Sequence, residues 1–237
     1  MKGESLATKS RWQRPEKFFP VVVEDFFTSP EVIMEYGKSL PKEVVGNQPG
    51  KRSKQFWEID AELHNTILRK ILSCYYDLDY VNISWKLSNM SFHEIPRFHE
   101  AKSNIKNKGW IHQDVGVYSP DGPDDEVAGL IYLTPDIDPD SGTSLFNLKP
   151  GAVIQPEEES KQEGWVEHRK KFDEKLCFKN FFNRMIMYDA CEWHAANSYW
   201  NDGDVRLTLA FFIGGIEAST FPLKRVKHWD RERSICG

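Results

Sequence analysis

Histidine and aspartate stand two residues apart at His112-Gln113-Asp114. In an extended segment residues i and i+2 project from one face, so this imidazole and carboxylate point the same way, with Ile111, Gln113 and Val115 on the other side. The pair supplies two of the three ligands of a 2-His-1-carboxylate face, whose open positions suit non-haem Fe(II). A solvated His–Asp pair in a turn has the same spacing, and the three residues alone do not separate the two readings. Further along, NRMIMYDACEWHAANSYWNDGDVRLTLAFFI (residues 183–213) carries His194 and Arg206. It reads as a strand, a second strand with His194, a tight turn at Asn201-Asp202-Gly203-Asp204, and a third strand; Asp-Gly there is a strong hairpin marker. On the third strand Arg206, Thr208, Ala210 and Phe212 share one face, and Val205, Leu207, Leu209 and Phe211 the other. A guanidinium in so apolar a strand is costly unless it meets an anion. A dicarboxylate ligand held bidentately is one such anion, with the Thr208 hydroxyl as an added donor. A protein carboxylate, Asp189 or Glu192, is the alternative.

These residues need rigid elements to position them. Ser29-Pro30-Glu31 reads as a helix start, with Ser29 as N-cap and Pro30 at the first helical position. A second helix has Asp60 as cap and Leu63, Ile67, Ile71 and Tyr75 at helical spacing. From residue 80 the texture changes to short apolar or alternating runs between turn residues. Strands are expected near 83–93, 109–117, 127–134, 143–148, 183–189, 192–198 and 205–213, after an earlier apolar run at FFPVVVEDFF. Residues 135–142 are an acidic turn-rich loop, and 155–179 a charged segment with a helical turn or two. Helices first and then a long run of strands predict an antiparallel barrel or sandwich with helices on its outside.

Composition narrows the function classes. Of 237 residues, 40% are hydrophobic and 28% charged, which excludes a low-complexity or wholly disordered chain. No apolar run approaches the roughly 20 residues needed to cross a bilayer. A net charge of −5 argues against broad nucleic-acid binding. The four scattered cysteines make no metal pair and no disulfide framework, so free thiols in a reducing, cytoplasmic compartment are expected, and from its polar, basic start no secretory signal is expected.

Taken together, the motifs resemble the 2-oxoglutarate and Fe(II)-dependent oxygenase superfamily, and within it the prolyl-hydroxylase-like branch. The pattern there is HxD, a strand ending in Tyr-Leu, a Gly-containing turn into a strand, a distal His, and Arg-x-Ser/Thr. Here it reads HQD at 112–114, GLIYLTP at 129–135, SGTSLF at 141–146, His194, and RLT at 206–208. The resemblance covers roughly residues 84–213. Many relatives have two glycines where this chain has Ser141-Gly142, so that turn is expected to be built differently.

The resemblance implies an α+β, mainly β chain: a double-stranded β-helix (a jelly-roll, cupin-like barrel) with N-terminal helices packed outside. It implies a tail at 1–17 and one oxygenase domain at 18–237, with helical support at 18–80, a jelly-roll core at 81–215, the charged insert at 155–179 near the barrel mouth, and an extension at 216–237. It assigns His112, Asp114 and His194 to the iron, Arg206 to the distal carboxylate of 2-oxoglutarate, and Thr208 to its support. Tyr132 matches a tyrosine that bonds the same carboxylate in some members; a core tyrosine with a satisfied hydroxyl is the other reading. The implied reaction is hydroxylation of a substrate C–H bond coupled to decarboxylation of 2-oxoglutarate, using Fe(II) and O2, with ascorbate as a supporting reductant. The implied substrate is a peptidyl proline, another amino-acid side chain or a small metabolite. Nucleic acid is disfavoured because the stretch after Arg206 lacks the second arginine of nucleic-acid demethylases. The rival reading is a cupin-like, non-redox metal- or ligand-binding barrel, which would keep the His/Asp cluster without needing Arg206. Among lesser candidates, Asn89 and Ser91 are expected to face the barrel interior, His93 and His99 to lie at the surface or in loops, His168 to be exposed, and Cys191 to act as a small hydrophobe. No oligomeric state follows from the sequence.

Overall fold

The computed structural model describes residues 18–45, 50–96, 109–114, 125–154, 164–197 and 205–222. The expected tail at 1–17, the Asn201–Asp204 turn, His99, Cys236, the part of the charged segment at 155–163 and the chain beyond 222 lie outside the described residues. Eleven strands and four α-helices are described. The helices are α1 (Pro30–Ser39), α2 (Phe56–Ile59), α3 (Ala61–Leu72) and α4 (Trp165–Lys170). Ser29 occupies the cap position of α1 without a side-chain cap bond, leaving Pro30 as the start signal. Asp60 caps α3, its Oδ1 accepting from Leu63 N at 2.9 Å, as its spacing predicts.

Six strands build the major sheet: β1 (Val21–Val23), β2 (Lys51–Arg52), β4 (Leu87–Pro96), β5 (Asp125–Tyr132), β8 (Met185–Asp189) and β10 (Val205–Gly214), in the order β1-β8-β5-β10-β4-β2. Every pairing in it is antiparallel. The expected strand at 83–93 is split: β3 (Ile83–Ser84) pairs with β11 (Glu217–Ala218) in a separate ribbon, and β4 runs on to Pro96. The minor sheet has β6 (Thr143–Leu148) between β7 (Phe172–Phe178) and β9 (Trp193–Ala196). The segment 109–114 extends it beyond β9: His112 and His194 exchange both backbone bonds, at 3.0 and 2.9 Å, and Gly109 N donates to Ala196 O at 2.8 Å.

Period-two alternation sorts the major sheet's side chains. One face, with Met90, Phe92, Met185, Met187, Leu207, Leu209 and Phe211, packs on Ile67, Leu68, Ile71 and Leu72 of α3 to form the main core. The other faces the minor sheet, where Ala128, Tyr132, Ile186 and Tyr188 meet Leu145 and Phe178 in a small second core. The barrel interior is therefore narrow, and polar groups in it are shielded from solvent. Among the described residues no helix is long and apolar enough to cross a membrane.

The segment at 155–179 holds one helical stretch, α4, as expected, but it also contains β7, which the reading did not predict. Only Phe172 and Phe178 of β7 are buried, and the five residues between them are exposed. An edge strand with so polar an outward run carries no apolar alternation, so charge concealed it.

Candidate active site

The structure brings the three expected ligands together. Donor atoms of His112, Asp114 and His194 all lie within 4.8 Å of one another. His194 Nε2 is 3.2 Å from Asp114 Oδ2, and His112 Nε2 is 3.6 Å from Asp114 Oδ1. The backbone explains the convergence. The pair of bonds between residues 112 and 194 locks the two histidines side by side, with ring centroids 4.4 Å apart, while Asp114 N donates to Ala190 O at 3.1 Å.

Both imidazoles are oriented alike. His112 Nδ1 lies 2.8 Å from Trp110 O, and His194 Nδ1 lies 3.0 Å from Glu192 O. A carbonyl oxygen only accepts, so each Nδ1 carries a hydrogen and each ring turns its Nε2 toward Asp114. A backbone carbonyl that fixes the tautomer and ring orientation in this way is how metal-ligating histidines are usually held. Burial pushes the Asp114 carboxyl up, but His194 and His112 beside it outweigh that and hold it well below the usual carboxylate range. Two imidazole nitrogens and an anionic oxygen on one side of a small space fit a divalent transition metal. His194 is buried, whereas the His112 side chain is 45% exposed, so the cluster is accessible on its His112 side.

Arg206 is buried on the inner face of β10, with Thr208, as alternation predicts. Its Nη1 donates to Ser141 O at 3.0 Å. Of the two protein carboxylates considered as partners, Asp189 shares its side of β8 with Met185 and Met187 of the outer core and accepts from Phe18 N and Cys191 N, at 3.1 and 3.0 Å. Glu192 pairs with Lys175. Tyr132 lies directly across from Thr208, and its hydroxyl donates to Thr143 Oγ1 at 3.0 Å. Burial pushes its hydroxyl up to about 12, with Arg206 and Thr143 pulling the other way. Tyr132 is thus a neutral donor-acceptor between the sheets, near the guanidinium.

The turn at Ser141-Gly142 carries its own constraint. Ser141 ends a short 3-10 turn (Pro139–Ser141), its carbonyl orients Arg206, and its hydroxyl accepts from Asn180 Nδ2 at 3.0 Å. A Cβ on Gly142 would overlap the carbonyl oxygen of Phe178 on β7. That oxygen is backbone and cannot swing away, so Gly142→Ala should lower stability by about 1–3 kcal/mol, which is roughly 2–4 °C of Tm per kcal/mol in a chain of this size. Calorimetry checks it; an unchanged Tm would show that the turn has room to shift.

Two histidine expectations are corrected. His93 is not a surface residue: it is buried on the inner face of β4, opposite Thr208, with Nε2 2.9 Å from Ser91 Oγ. Burial, then Arg52 and Arg206, hold its pKa well below the usual histidine value, so it is neutral. Its period-two spacing from Asn89 and Ser91 was the available signal; the three share a face, as expected of the latter two. His168 is likewise buried rather than exposed. Its ring stacks on Trp110 at 3.7 Å, and its Nε2 bonds Ile111 O at 2.8 Å, so α4 braces the strand that carries His112 and Asp114. Cys191 is half-buried, and its carbonyl accepts from Gln113 Nε2. Tyr188 was missed altogether. It lies on the inner face of β8 with its ring 5.0 Å from His194, and burial, reinforced by Asp114, keeps the phenol protonated.

No protein-family model matches the chain, and no curated protein does either. Solved structures do. HygX from Streptomyces hygroscopicus, with nickel, 2-oxoglutarate and hygromycin B bound, superposes with a TM-score of 0.53 at 13% identity, over 84% of this chain and 83% of that one. EvdO2 from Micromonospora carbonacea var. aurantiaca gives a TM-score of 0.53 at 11% identity, over 88% and 91%. HygX with iron bound gives 0.50 at 12%, over 84% and 82%. Identities this low speak for the arrangement of the backbone, and that arrangement agrees with the two facing antiparallel sheets described above. The chain has the double-stranded β-helix fold of the 2-oxoglutarate/Fe(II) oxygenases.

Proposed function

We propose that the protein is a 2-oxoglutarate- and Fe(II)-dependent dioxygenase that hydroxylates a C–H bond of a small-molecule or amino-acid substrate. The observation that carries the proposal is the His112–Asp114–His194 cluster, with both Nδ1 hydrogens tied to backbone carbonyls and three donor atoms facing one another. These residues would hold Fe(II). With 2-oxoglutarate and O2 also bound, the iron would supply the oxidising chemistry that couples substrate hydroxylation to conversion of the cosubstrate to succinate and CO2. HygX, of the same fold, has been crystallised with iron and with nickel and 2-oxoglutarate, which supports the reading.

The chain's own residues bind and orient. Arg206, aimed by the Ser141 carbonyl, offers the distal carboxylate of 2-oxoglutarate a charge-assisted fork in the buried barrel interior, where such a pair is stronger than in water. Thr208 adds a hydroxyl from the same face. The small core around Leu145, Ile186 and Tyr188 excludes water behind the site. A non-redox metal barrel would use the His/Asp cluster but has no need of a buried Arg206.

The test is succinate formation. Protein loaded anaerobically with Fe(II) should release succinate from 2-oxoglutarate in air, slowly by itself and faster when a peptide or metabolite pool contains the substrate. Stabilisation by a divalent metal with no response to 2-oxoglutarate would favour the non-redox barrel.

Tyr132 permits a finer check. Tyr132→Phe removes one hydroxyl from the Thr143 bond and from the Arg206 neighbourhood. The expected loss in 2-oxoglutarate affinity is about 1 kcal/mol, the worth of a single neutral hydrogen bond, read by titration into Ni(II)-loaded protein. An unchanged affinity with a lowered Tm would make Tyr132 a core residue only.

A further inference from the structure

The inner face of the major sheet carries a polar row that crosses four strands in register. Tyr132 on β5 lies opposite Thr208 on β10, Thr208 opposite His93 on β4, and His93 opposite Arg52 on β2. Directly opposed residues in an antiparallel ladder project from the same face. The Arg52 side chain therefore leaves the sheet on the side of His93, Thr208 and Arg206. The charges of Arg52 and Arg206 are both felt at His93, whose buried imidazole is neutral. With strands about 4.8 Å apart, the Arg52 backbone lies roughly 10 Å from that of Thr208, about the length of a small metabolite away from the cosubstrate anchor.

Among the described residues Arg52 has no side-chain partner that explains this placement. It is half-buried, its Nε is buried without a hydrogen-bond partner, and among the described residues no ion pair joins it to a carboxylate. Glu43, opposite it on the other flank of β2, is exposed, and Glu94 takes Lys42 at 3.0 Å. A cation held this way gains most from an anion that arrives in the barrel. One planar fork matches a carboxylate, whereas a phosphate dianion recruits several donors, and Lys51, the adjacent cation on β2, projects from the opposite face.

We propose that Arg52 anchors a carboxylate of the molecule to be oxidised, separately from the carboxylate held at Arg206. This rests on the oxygenase reading of the site and narrows the substrate to carboxylate-bearing compounds. Arg52 sets specificity through binding and takes no part in the chemical step.

The test uses protein loaded with Ni(II) and 2-oxoglutarate, so that Arg206 is occupied. N-acetylglycinate is the probe and N-acetylglycinamide its uncharged control. The arginine Nε–H resonances are followed by NMR, with Arg52 assigned from Arg52→Gln. The Arg52 resonance should move saturably with the acid, at a Kd of about 1–10 mM for so small a ligand, and stay still with the amide. Arg52→Gln should lose the acid by about tenfold or more, and Arg52→Lys by less, since charge without the fork keeps part of the attraction. Affinity for 2-oxoglutarate should hold within about twofold in both variants. A resonance that ignores the acid, or answers the amide equally, overturns the proposal. So does a 2-oxoglutarate affinity that collapses in Arg52→Gln, because Arg52 would then belong to the cosubstrate site. If the wild-type protein takes up no 2-oxoglutarate, the oxygenase reading fails instead, and the Arg52 resonance still decides whether the anion site exists.

Discussion

Replacing His194 with alanine should reduce bound Fe(II) from one equivalent to background and abolish 2-oxoglutarate turnover, while the chain stays folded. The metal loss follows from the donor set. Three candidate ligands form one face here, and removing one leaves His112, whose side chain is 45% exposed, and Asp114. Loss of an outer-shell support alone typically costs 10–100-fold in metal affinity, so loss of a ligand must cost more. The retained fold follows from how residue 194 is built in. Its backbone, not its side chain, pairs with His112, and β9 is held on its other edge by Leu145 of β6. Alanine keeps those backbone bonds and vacates space beside Tyr188, His112 and Asp114. Metal analysis after anaerobic loading and desalting, with circular dichroism as the folding control, checks both halves. A normal iron content in the variant would remove His194 from the site.

What was legible in the sequence follows the physics of alternation. Arg206 and Thr208 could be placed inside the barrel because β10 is apolar throughout, and one polar pair at period two stands out against it. His112 and Asp114 could be put on one face by the same spacing, although their surroundings are not apolar throughout, and α3 was legible because its cap and apolar stripe agree. The failures have a common cause. β7 is an edge strand with buried residues only at its ends, so its pattern is charge rather than alternation. His168 sits in a charged helical turn, and contacts distant in sequence bury it, above all its stack on Trp110, 58 positions away, and its bond to Ile111 O. His93 and Arg52 lie in mixed stretches whose facing is set by pairing partners: β2 is two residues long and acquires its register solely from β4 and Glu43. Long-range pairing is information that a local pattern does not contain. The family resemblance supplied roles for the motif residues and said nothing of these others.

The largest effect on cosubstrate binding is expected at Arg206. Arg206→Ala should weaken 2-oxoglutarate binding by on the order of 2–5 kcal/mol, the cost of leaving a carboxylate buried opposite no partner. The barrel makes that penalty steep. Arg206 is 4% exposed, and Thr208, Tyr132 and the Leu145–Ile186 cluster around it leave little room for solvent to replace the guanidinium. Arg206→Lys keeps the charge but forfeits the fork and the geometry of the Nη1 bond to Ser141 O, so it should lose affinity by a smaller margin. Fe(II) content should be unchanged in both variants, because the ligands sit on β9 and the 109–114 segment rather than on β10. This separation of effects is what distinguishes an anchor from a structural arginine. If Arg206 only tied the Ser141 turn to β10, Arg206→Ala would lower Tm and leave the 2-oxoglutarate affinity of the surviving folded protein intact. Titration of 2-oxoglutarate into Ni(II)-loaded protein below its melting temperature reads the two apart. An affinity that survives the loss of the guanidinium would make Arg206 structural and move the search for a cosubstrate anchor to Arg52, the other arginine on this face of the sheet.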